Sequence, residues 1–427
     1  MQKGTQELKI IKVSDIRFVK DLYPRLNQSE TAVNQYRESI DKLPPIVLAR
    51  DGILVDGYHR WKAHQAENIV EIKYIDLGNL SDIEIIKESL IRNSNHGYQL
   101  TTVDKKSNAN KLYTLLSGEP DEKYDEISKL LSLSKDSARK YCKEARQSEK
   151  EKQQSESWDL WLDCWTQQAI ADKLGLPRRT ISDWLGEFGT NSIFAKVPNS
   201  TPDKPWGDIQ HFDVWNFASS KNDTGYFGAM PTQVVENLLW LYTAPGQIVF
   251  DPFAGSGTTI KIAKNMGRRV WSSDRKIANE MLPIHKHDIT TSWPEDAPGN
   301  VDFILLDPPY WKQAAGRYSN DPDDLGNMNL DDFYNSWIKI LTNCNNHLNK
   351  TGYLAFIVSP AEDKENDIVV DLAFDMYEKA KELGFKQHRR IIVTYSTQQA
   401  TGQQVTWARE NKKLLKLYRD LIILKRG

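Results

Sequence analysis

From about residue 209 to the end, the chain alternates short β-rich runs with helical stretches, and this alternation limits its fold more than any other feature. The runs are QIVFDPF, RRVWSSD, HKHDIT, VDFILLDPP, GYLAFIVS, RRIIVTYS and DLIILKR. Strands of this kind separated by helices predict a seven-stranded, mostly parallel sheet with helices on both faces, an α/β domain over residues 209–427.

The preceding residues divide further, so the whole chain reads as multidomain. Residues 1–96 mix strands and helices. Within them LPPIVLARDGILVDGYHRWKAHQ reads as strand, turn, strand, helix, with Asp51-Gly52 as the tight turn. Residues 97–190 read as all-α, and the polar run KEARQSEKEKQQSES (143–157) is a solvated helix or a linker. NSIFAKVPNSTPDKPWGD (191–208), rich in Pro, Ser and Asn, is the expected interdomain linker.

Composition narrows the function classes. The 427 residues are 39% hydrophobic and 27% charged, with a net charge of −2, so any nucleic-acid contact must come from local basic faces. Three widely spaced cysteines without a CxxC pair predict neither a disulfide framework nor a metal site, and they fit a reducing compartment. The N-terminus lacks the apolar core of a signal peptide, and no apolar run is long enough to span a bilayer. The expectation is a cytoplasmic protein without a membrane partner.

Two motifs carry chemistry. In QIVFDPFAGSGTTIKIAKNMG (247–267) a buried strand enters a Gly-rich turn and then a helix. Gly255 and Gly257 let the backbone turn tightly and approach a ligand at the strand's C-terminal end. It is neither a GxGxxG nor a P-loop. Asp274, ending the next strand, is placed to grip ribose hydroxyls, and Asp288, ending the third, to reach an adenine edge. In the second motif, VDFILLDPPYW (301–311), an apolar strand stops at Asp307-Pro308-Pro309-Tyr310. Two prolines fix φ and remove two donors, so the loop is stiff. The exocyclic amine of a base is a poor nucleophile, because its lone pair is delocalised into the ring. Asp307 and the Pro308 carbonyl can accept its two N–H hydrogens and turn the lone pair toward an electrophilic methyl group, while Tyr310 stacks on a flipped base.

DPFAGSGTT followed by DPPY resembles the amino-methyltransferases of DNA, which modify adenine N6 or cytosine N4, over about half the chain. The resemblance implies a Rossmann-like domain that binds S-adenosyl-L-methionine through the loop Asp251, Pro252, Phe253, Ala254, Gly255, Ser256, Gly257 and Thr258, with Asp274 on the ribose and Asp307–Tyr310 catalytic. FGAMPTQVVENLLWLYTAPG (227–246) resembles the family's helix-leading motif beside the methionine end of the cofactor, with Met230-Pro231 where Lys-Pro is common. Adenine N6 is the preferred target, since the catalytic motif opens with Asp rather than the Ser common in cytosine N4 enzymes. No large recognition insert follows Tyr310. QHRR (387–390) and STQQATGQQ (396–404) either touch DNA or flank a strand and form a solvated loop, respectively.

A reader is visible earlier. WTQQAIADKLGLPRRTISDWLGEF (165–188) has a helix-turn-helix pattern, with Gly175 at the turn and Ile170, Ala171, Leu176, Ile181 and Trp184 on the internal face. Arg178, Arg179, Thr180, Ser182 and Asp183 fall at or near the exposed start of the second helix, where such motifs meet double-stranded DNA. KYDEISKLLSLSKDSARKYCKEA (123–145) has the same outline with Ser132 at the turn. It is either a second reader or scaffold.

VDGYHRWKA (55–63) resembles the box of the ParB N-terminal superfamily, with Gly57, Arg60 and Ala63 matching. The implied fold is α+β, of ParB/sulfiredoxin type. Tyr58-His59 replaces the Glu-Arg pair of nucleotide-binding members. His59 and Arg60 then read as a hydrogen-bonded structural pair with a DNA-backbone contact, rather than a hydrolytic site, since no cluster of metal-ligand carboxylates surrounds the box. The fusion resembles orphan methylases of phages and mobile elements. The expected activity is site-specific methylation of a base amine in DNA, with target recognition in the N-terminal half. The rival is a ParB-like regulatory DNA binder with a silent methyltransferase fold. The sequence leaves the oligomeric state open, a homodimer included.

Overall fold

A computed structural model describes residues 8–95, 100–189, 194, 196–198, 200–217, 230–312, 320–363, 368–394 and 401–427. The chain forms two compact units, Met1–Gln153 and Gln154–Gly427.

The first unit holds β1 (Leu8–Lys12), α1 (Glu30–Arg37), β2 (Ile46–Ala49), β3 (Ile53–Asp56), α2 (Tyr58–Ala66), β4 (Glu71–Asp76), α3 (Asp82–Asn95), α4 (Thr102–Leu115), α5 (Pro120–Leu131), α6 (Lys135–Tyr141) and the start of α7 (Lys143–Leu162). Its sheet runs β1-β4-β2-β3, so the expected α+β character of the first 96 residues is present. Asp51, at φ 53°, makes the turn between β2 and β3. The polar run at 143–157 is helical. It forms most of α7, and its exposed side chains fit a solvated face.

The second unit contains the rest of α7, α8 (Gln167–Leu174), α9 (Arg178–Gly189), β5 (Val214–Asn216), α10 (Thr232–Tyr242), β6 (Ile248–Asp251), α11 (Thr258–Asn265), β7 (Arg269–Asp274), β8 (Ile284–Lys286), β9 (Val301–Leu306), α12 (Leu330–His347), β10 (Leu348–Val358), β11 (Ala361–Asp363), β12 (Ile368–Val370), α13 (Leu372–Glu382), β13 (Phe385–Thr394), α14 (Gly402–Glu410) and β14 (Tyr418–Arg426). The main sheet has eight strands, in the order β5-β13-β14-β10-β9-β6-β7-β8, where seven were expected. The extra strand, β5, pairs parallel with β13 through only three residues, Val214 to Asn216, too few to show a β pattern in sequence. Strands β6 to β10 are parallel, and β14 runs antiparallel between β10 and β13. One face packs Phe333, Trp337, Ile340 and Met376 of α12 and α13, and the other packs Val234, Leu238, Ile260 and Ala263 of α10 and α11. The α/β layering read from the sequence is therefore present.

Arg268 ties the second helical layer together. Only 2% exposed, it donates to Thr243 Oγ1 (3.0 Å), Met266 O (2.6 Å), Leu239 O (3.3 Å) and Thr243 O (2.8 Å). A cation here satisfies carbonyls at the C-terminal ends of α10 and α11, and burial pushes its pKa down to about 10. Arg268→Met is expected to cost about 3 kcal/mol by leaving those carbonyls buried without donors. Chemical denaturation would show it as a lowered midpoint at constant slope.

The expected boundary at 190/191 falls on residues outside the described set, as do linker positions 191–193, 195 and 199. The compact units divide within α7, and α8 and α9 count with the sheet. The reason lies in a seam around the end of α7. Arg269, which opens β7, donates to Trp161 O (3.0 Å) and Trp165 O (3.4 Å). Lys264 of α11 pairs with Asp163 at 2.5 Å. A Cβ on Gly246, before β6, would meet the Trp161 ring at 3.3 Å. Among the described residues no helix is long and apolar enough to cross a membrane.

Candidate active site and DNA-reading helix

The parallel strands deliver four carboxylates toward one end of the sheet. Asp251 is the last residue of β6 and Asp274 the last of β7, while Asp288 and Asp307 follow β8 and β9. The Gly-rich turn connects the first two. Asp251 accepts from Phe253 N (3.0 Å), and Asp274 accepts from Gly255 N (2.9 Å) and Lys276 N (3.0 Å). Ala254 N donates to Ser273 O (3.0 Å). Gly255 (φ 48°) and Gly257 (φ 81°) occupy the left-handed region, and Gly257 is the N-cap of α11. The φ of 81° at Gly257 favours glycine, and a Cβ there would also press on the Leu282 side chain. Pro252, Ala254 and Ser256 are buried, whereas Phe253, Gly255 and Thr258 are partly open.

Asp288 accepts from Thr290 N (2.9 Å) and pairs with Arg275 at 3.0 Å. Arg275 also reaches Asp321 (2.9 Å) and Asp323 O (2.9 Å). One arginine thus joins the segments following β7, β8 and the Asp307–Tyr310 loop. Its role was not read from the sequence, since nothing in KIANE or NDPDDLG announces a mutual contact. Met230 is buried in the helical layer over the sheet, and Pro231 caps α10. Phe227, Gly228 and Ala229 lie outside the described residues.

The Asp307–Tyr310 loop is anchored by its neighbour. Trp311 is 3% exposed and donates to Met328 O (3.0 Å). Tyr310, half-buried, donates its hydroxyl to Asp307 Oδ1 at 2.9 Å. Pro308 is buried, and Pro309 lies against Gly326. Burial pushes the Asp307 carboxyl up to about 6, against the pull of Arg419 and the Tyr310 hydrogen bond. Burial likewise raises Asp251 to about 7, and Asp307 adds to the rise. Asp274 is raised, first by burial. With two folded-state values above the ordinary 3.8, the folded chain holds more protons than the unfolded one between about pH 4 and 7. These groups therefore stabilise the fold less as pH rises through that window. Asp251→Asn is expected to flatten the fall in thermal midpoint between pH 5 and 7.5; an unchanged slope would contradict this.

The helix-turn-helix forms as read. Thr166 caps α8, its Oγ1 accepting from Ala169 N (3.2 Å), and Gly175 makes the turn at φ 64°. Ile170, Ala171, Ile181, Trp184 and Leu185 are buried together, with Leu176 against them. Arg178, Arg179, Ser182 and Asp183 are exposed, and Thr180 is half-exposed, at the start of α9. In the similar α5–α6 pair, Ser132 adopts φ 49°, the conformation a turn glycine would take. There Lys135 pairs with Asp121 and Asp125, and Arg139 with Asp121 and Asp136, so two of the three basic residues of α6 meet acids.

Gly57 opens α2 at φ 103°, beneath Ile46. The Arg60 guanidinium donates to Pro44 O (3.0 Å), Pro45 O (2.6 Å) and Asp56 (2.6 Å), with its side chain 13% exposed. His59 Nε2 accepts from Ser29 N (3.1 Å), and burial, helped by Arg25, pushes its pKa down. The pair braces the box from within, and Arg60 is turned to its own chain. Of the QHRR stretch, Arg390 pairs with Asp420 (2.9 Å), and His388 packs edge-on against Tyr353. These residues sit inside β13. Residues 396–400 lie outside the described set, and Thr401 caps α14.

Residues 72–281 match the family model described as DNA methylase. That span takes in the Gly-rich loop and Asp274 and ends before Asp288 and Asp307. The chain is 39% identical over 79 residues to the type II methyltransferase M2.DpnII of Streptococcus pneumoniae, covering 16% of this chain and 30% of that protein. It is 40% identical over 88 residues to the type II methyltransferase M.HindIII of Haemophilus influenzae, covering 19% and 28%. The aligned stretches thus span less than a third of these relatives' lengths. A solved structure of the C-terminally truncated chromosome-partitioning protein ParB from Caulobacter crescentus, complexed to the centromeric parS site, aligns with 31% of this chain and 70% of its own, at 16% identity and a TM-score of 0.24. Just under half of the chain is thus similar to the DNA methylase family model.

Proposed function

We propose that this protein is an S-adenosyl-L-methionine-dependent DNA methyltransferase acting on an exocyclic base amine, adenine N6 in preference to cytosine N4. The observation that carries the reading is the convergence of the glycine loop, Asp274 and the Tyr310-bound Asp307 at one end of the parallel sheet. That is where open α/β sheets take their ligands.

The residues fit the cofactor. Asp251 to Thr258 form a tight turn whose glycines, Gly255 and Gly257, sit in the left-handed region and let the backbone approach a ligand closely. Asp274 and Asp288 are acceptors suited to ribose hydroxyls and an adenine amine, and Met230-Pro231 lies toward the methionine end. When bound, the cofactor supplies a methyl group on positively charged sulfur. The chain's own residues do the orienting. Asp307 accepts one N–H of the target amine and the Pro308 carbonyl the other, which frees the lone pair from conjugation. A carboxyl raised to about 6 is ionised at neutral pH yet is a better proton acceptor than an ordinary aspartate. Tyr310 stacks on the flipped base, and the stiff prolines keep both acceptors in place. Duplex DNA docks on the start of α9, through Arg178, Arg179, Thr180 and Ser182. Arg60 reaches a phosphate only by leaving a carbonyl or Asp56.

Purified protein, labelled cofactor and duplex DNA test the reading, with identification of the product base. Transfer to adenine N6 is expected. Transfer to cytosine N4 would overturn the base preference, and no transfer to DNA would overturn the enzyme reading.

A further inference from the structure

The geometry points to Arg419 as a positioning residue that faces Asp307 across the sheet and holds its carboxylate ionised for the incoming amine. This inference rests on the methyltransferase reading. Arg419 is the second residue of β14 and only 6% exposed. A buried guanidinium at this end of a sheet demands a negative or polar counterpart.

Strand register fixes which way it faces. Leu306 pairs with Phe356, and Phe356 with Ile422, and all three lie in the core beneath α12 and α13. Leu305, Ala355 and Ile423 form the next row and lie on the opposite face. Asp307 precedes a proline and so continues in extended conformation. Alternation therefore puts it on the face of Leu305. Arg419 is two residues from Leu421 and four from Ile423, both on that same face. Their backbones stand two strand spacings apart, roughly 10 Å, and about 7 Å apart along the strand direction. An arginine and an aspartate side chain together span that distance. The neighbouring carboxylate, Asp420, points to the other face and is held by Arg390 at 2.9 and 3.0 Å.

The charges agree with the placement. Arg419 is the largest influence drawing the Asp307 carboxyl down against burial. From β6, Asp251 faces Asp307 and the two carboxyls repel, with Asp274 of β7 acting on Asp251 in turn. The Tyr310 hydroxyl meets Asp307 from its own loop. Of the helices over this face, α11 carries Lys264, paired with Asp163, and the exposed Lys261, while Glu236 of α10 is acted on by Asp208. Lys416 donates to Pro360 O and is acted on by Glu362. Among the described residues, Arg419 is thus the cation that steadies the Asp307 charge. Without it, two buried carboxyls would share the site and Asp307 would take up a proton at a pH where it must be an acceptor.

The test is single-turnover methyl transfer to duplex DNA between pH 5 and 9 by the full chain, comparing wild type with Arg419→Leu, Arg419→Gln and Arg419→Lys. Wild type is expected to lose rate below about pH 6. Arg419→Leu and Arg419→Gln should be at least 10-fold slower at pH 7, with the acid limb moved up by about one pH unit. Arg419→Lys should recover part of both, and the apparent affinity for the cofactor should change less than 3-fold. An acid limb that stays at its wild-type pH in the neutral variants overturns the proposal even if the rate falls, because loss of packing alone does not move a titration. A lysine variant as displaced as the leucine variant overturns it too. Should Arg419→Leu not fold, the isosteric glutamine variant decides. No transfer by wild type at any pH would instead sink the methyltransferase reading.

Discussion

Asp307→Ala is expected to reduce methyl transfer by at least about 1,000-fold while leaving cofactor affinity within a few-fold of wild type. The size reflects the side chain's task. In the proposed mechanism it is one of two acceptors for the target amine, and without it the lone pair would stay delocalised into the base. Preorganised electrostatic groups of this kind are worth about 10²–10³ in rate each, and loss of correct orientation adds to that. The variant also removes the partner of the Tyr310 hydroxyl, 2.9 Å away, so the stacking ring loses a tether at the same time. Asp307→Asn keeps the shape but presents a weaker acceptor, and should fall between the two. Equilibrium binding of labelled cofactor, measured beside single-turnover transfer, separates the effects. Transfer by Asp307→Ala at the wild-type rate would remove the residue from the reaction.

Replacing both Arg178 and Arg179 with alanine is expected to weaken DNA binding by roughly 100-fold at physiological salt. Both side chains are exposed at the start of α9, so their removal leaves the buried face of Ile181, Trp184 and Leu185 intact. If α9 reads DNA, these arginines would meet phosphates or guanine edges. If each arginine neutralises one phosphate, the slope of log affinity against log salt falls by about 0.9 per charge, so by close to 2 for the pair. Removing a base-edge hydrogen bond instead costs about 1–3 kcal/mol and relaxes sequence preference. Fluorescence anisotropy across a salt series, with specific and scrambled duplexes, distinguishes these outcomes. Unchanged affinity and slope would move the reader elsewhere.

Local chemistry was legible wherever a short segment dictates its own geometry. Gly255 and Gly257 announce the tight loop because no other residue takes φ 81° against Leu282. Gly175 and Thr166 announce the helix-turn-helix for similar reasons. The Asp-Pro-Pro stop was readable because proline cannot continue a ladder. The features that stayed hidden depend on register or on contacts distant in sequence. β5 is three residues long and exists because β13 offers an open edge. Arg275 gains its meaning only when the segments after β7, β8 and the catalytic motif converge. Arg419 lies more than a hundred residues beyond Asp307, and only the pairing of β9, β10 and β14 brings it round. Arg60 is the reverse case. Its motif was visible, and only the fold turns its guanidinium onto Pro44, Pro45 and Asp56.

The seam of Trp161, Asp163, Lys264 and Arg269 has a consequence for re-engineering. A chimaera that trades this helix-turn-helix for another cannot be cut in the proline-rich stretch near residue 200. Such a cut strips a tryptophan from Gly246 and strands a lysine and an arginine against the sheet. The graft that keeps the seam retains residues 154–165 and replaces only α8 and α9, with helices that cover Leu160 and Trp161 as Ile170, Ile181 and Trp184 do. If α9 reads DNA and the sheet methylates it, the same seam would act as a ruler, fixing the number of base pairs between the bound sequence and the methylated base. Inserting one or two base pairs into a substrate should abolish modification without weakening binding.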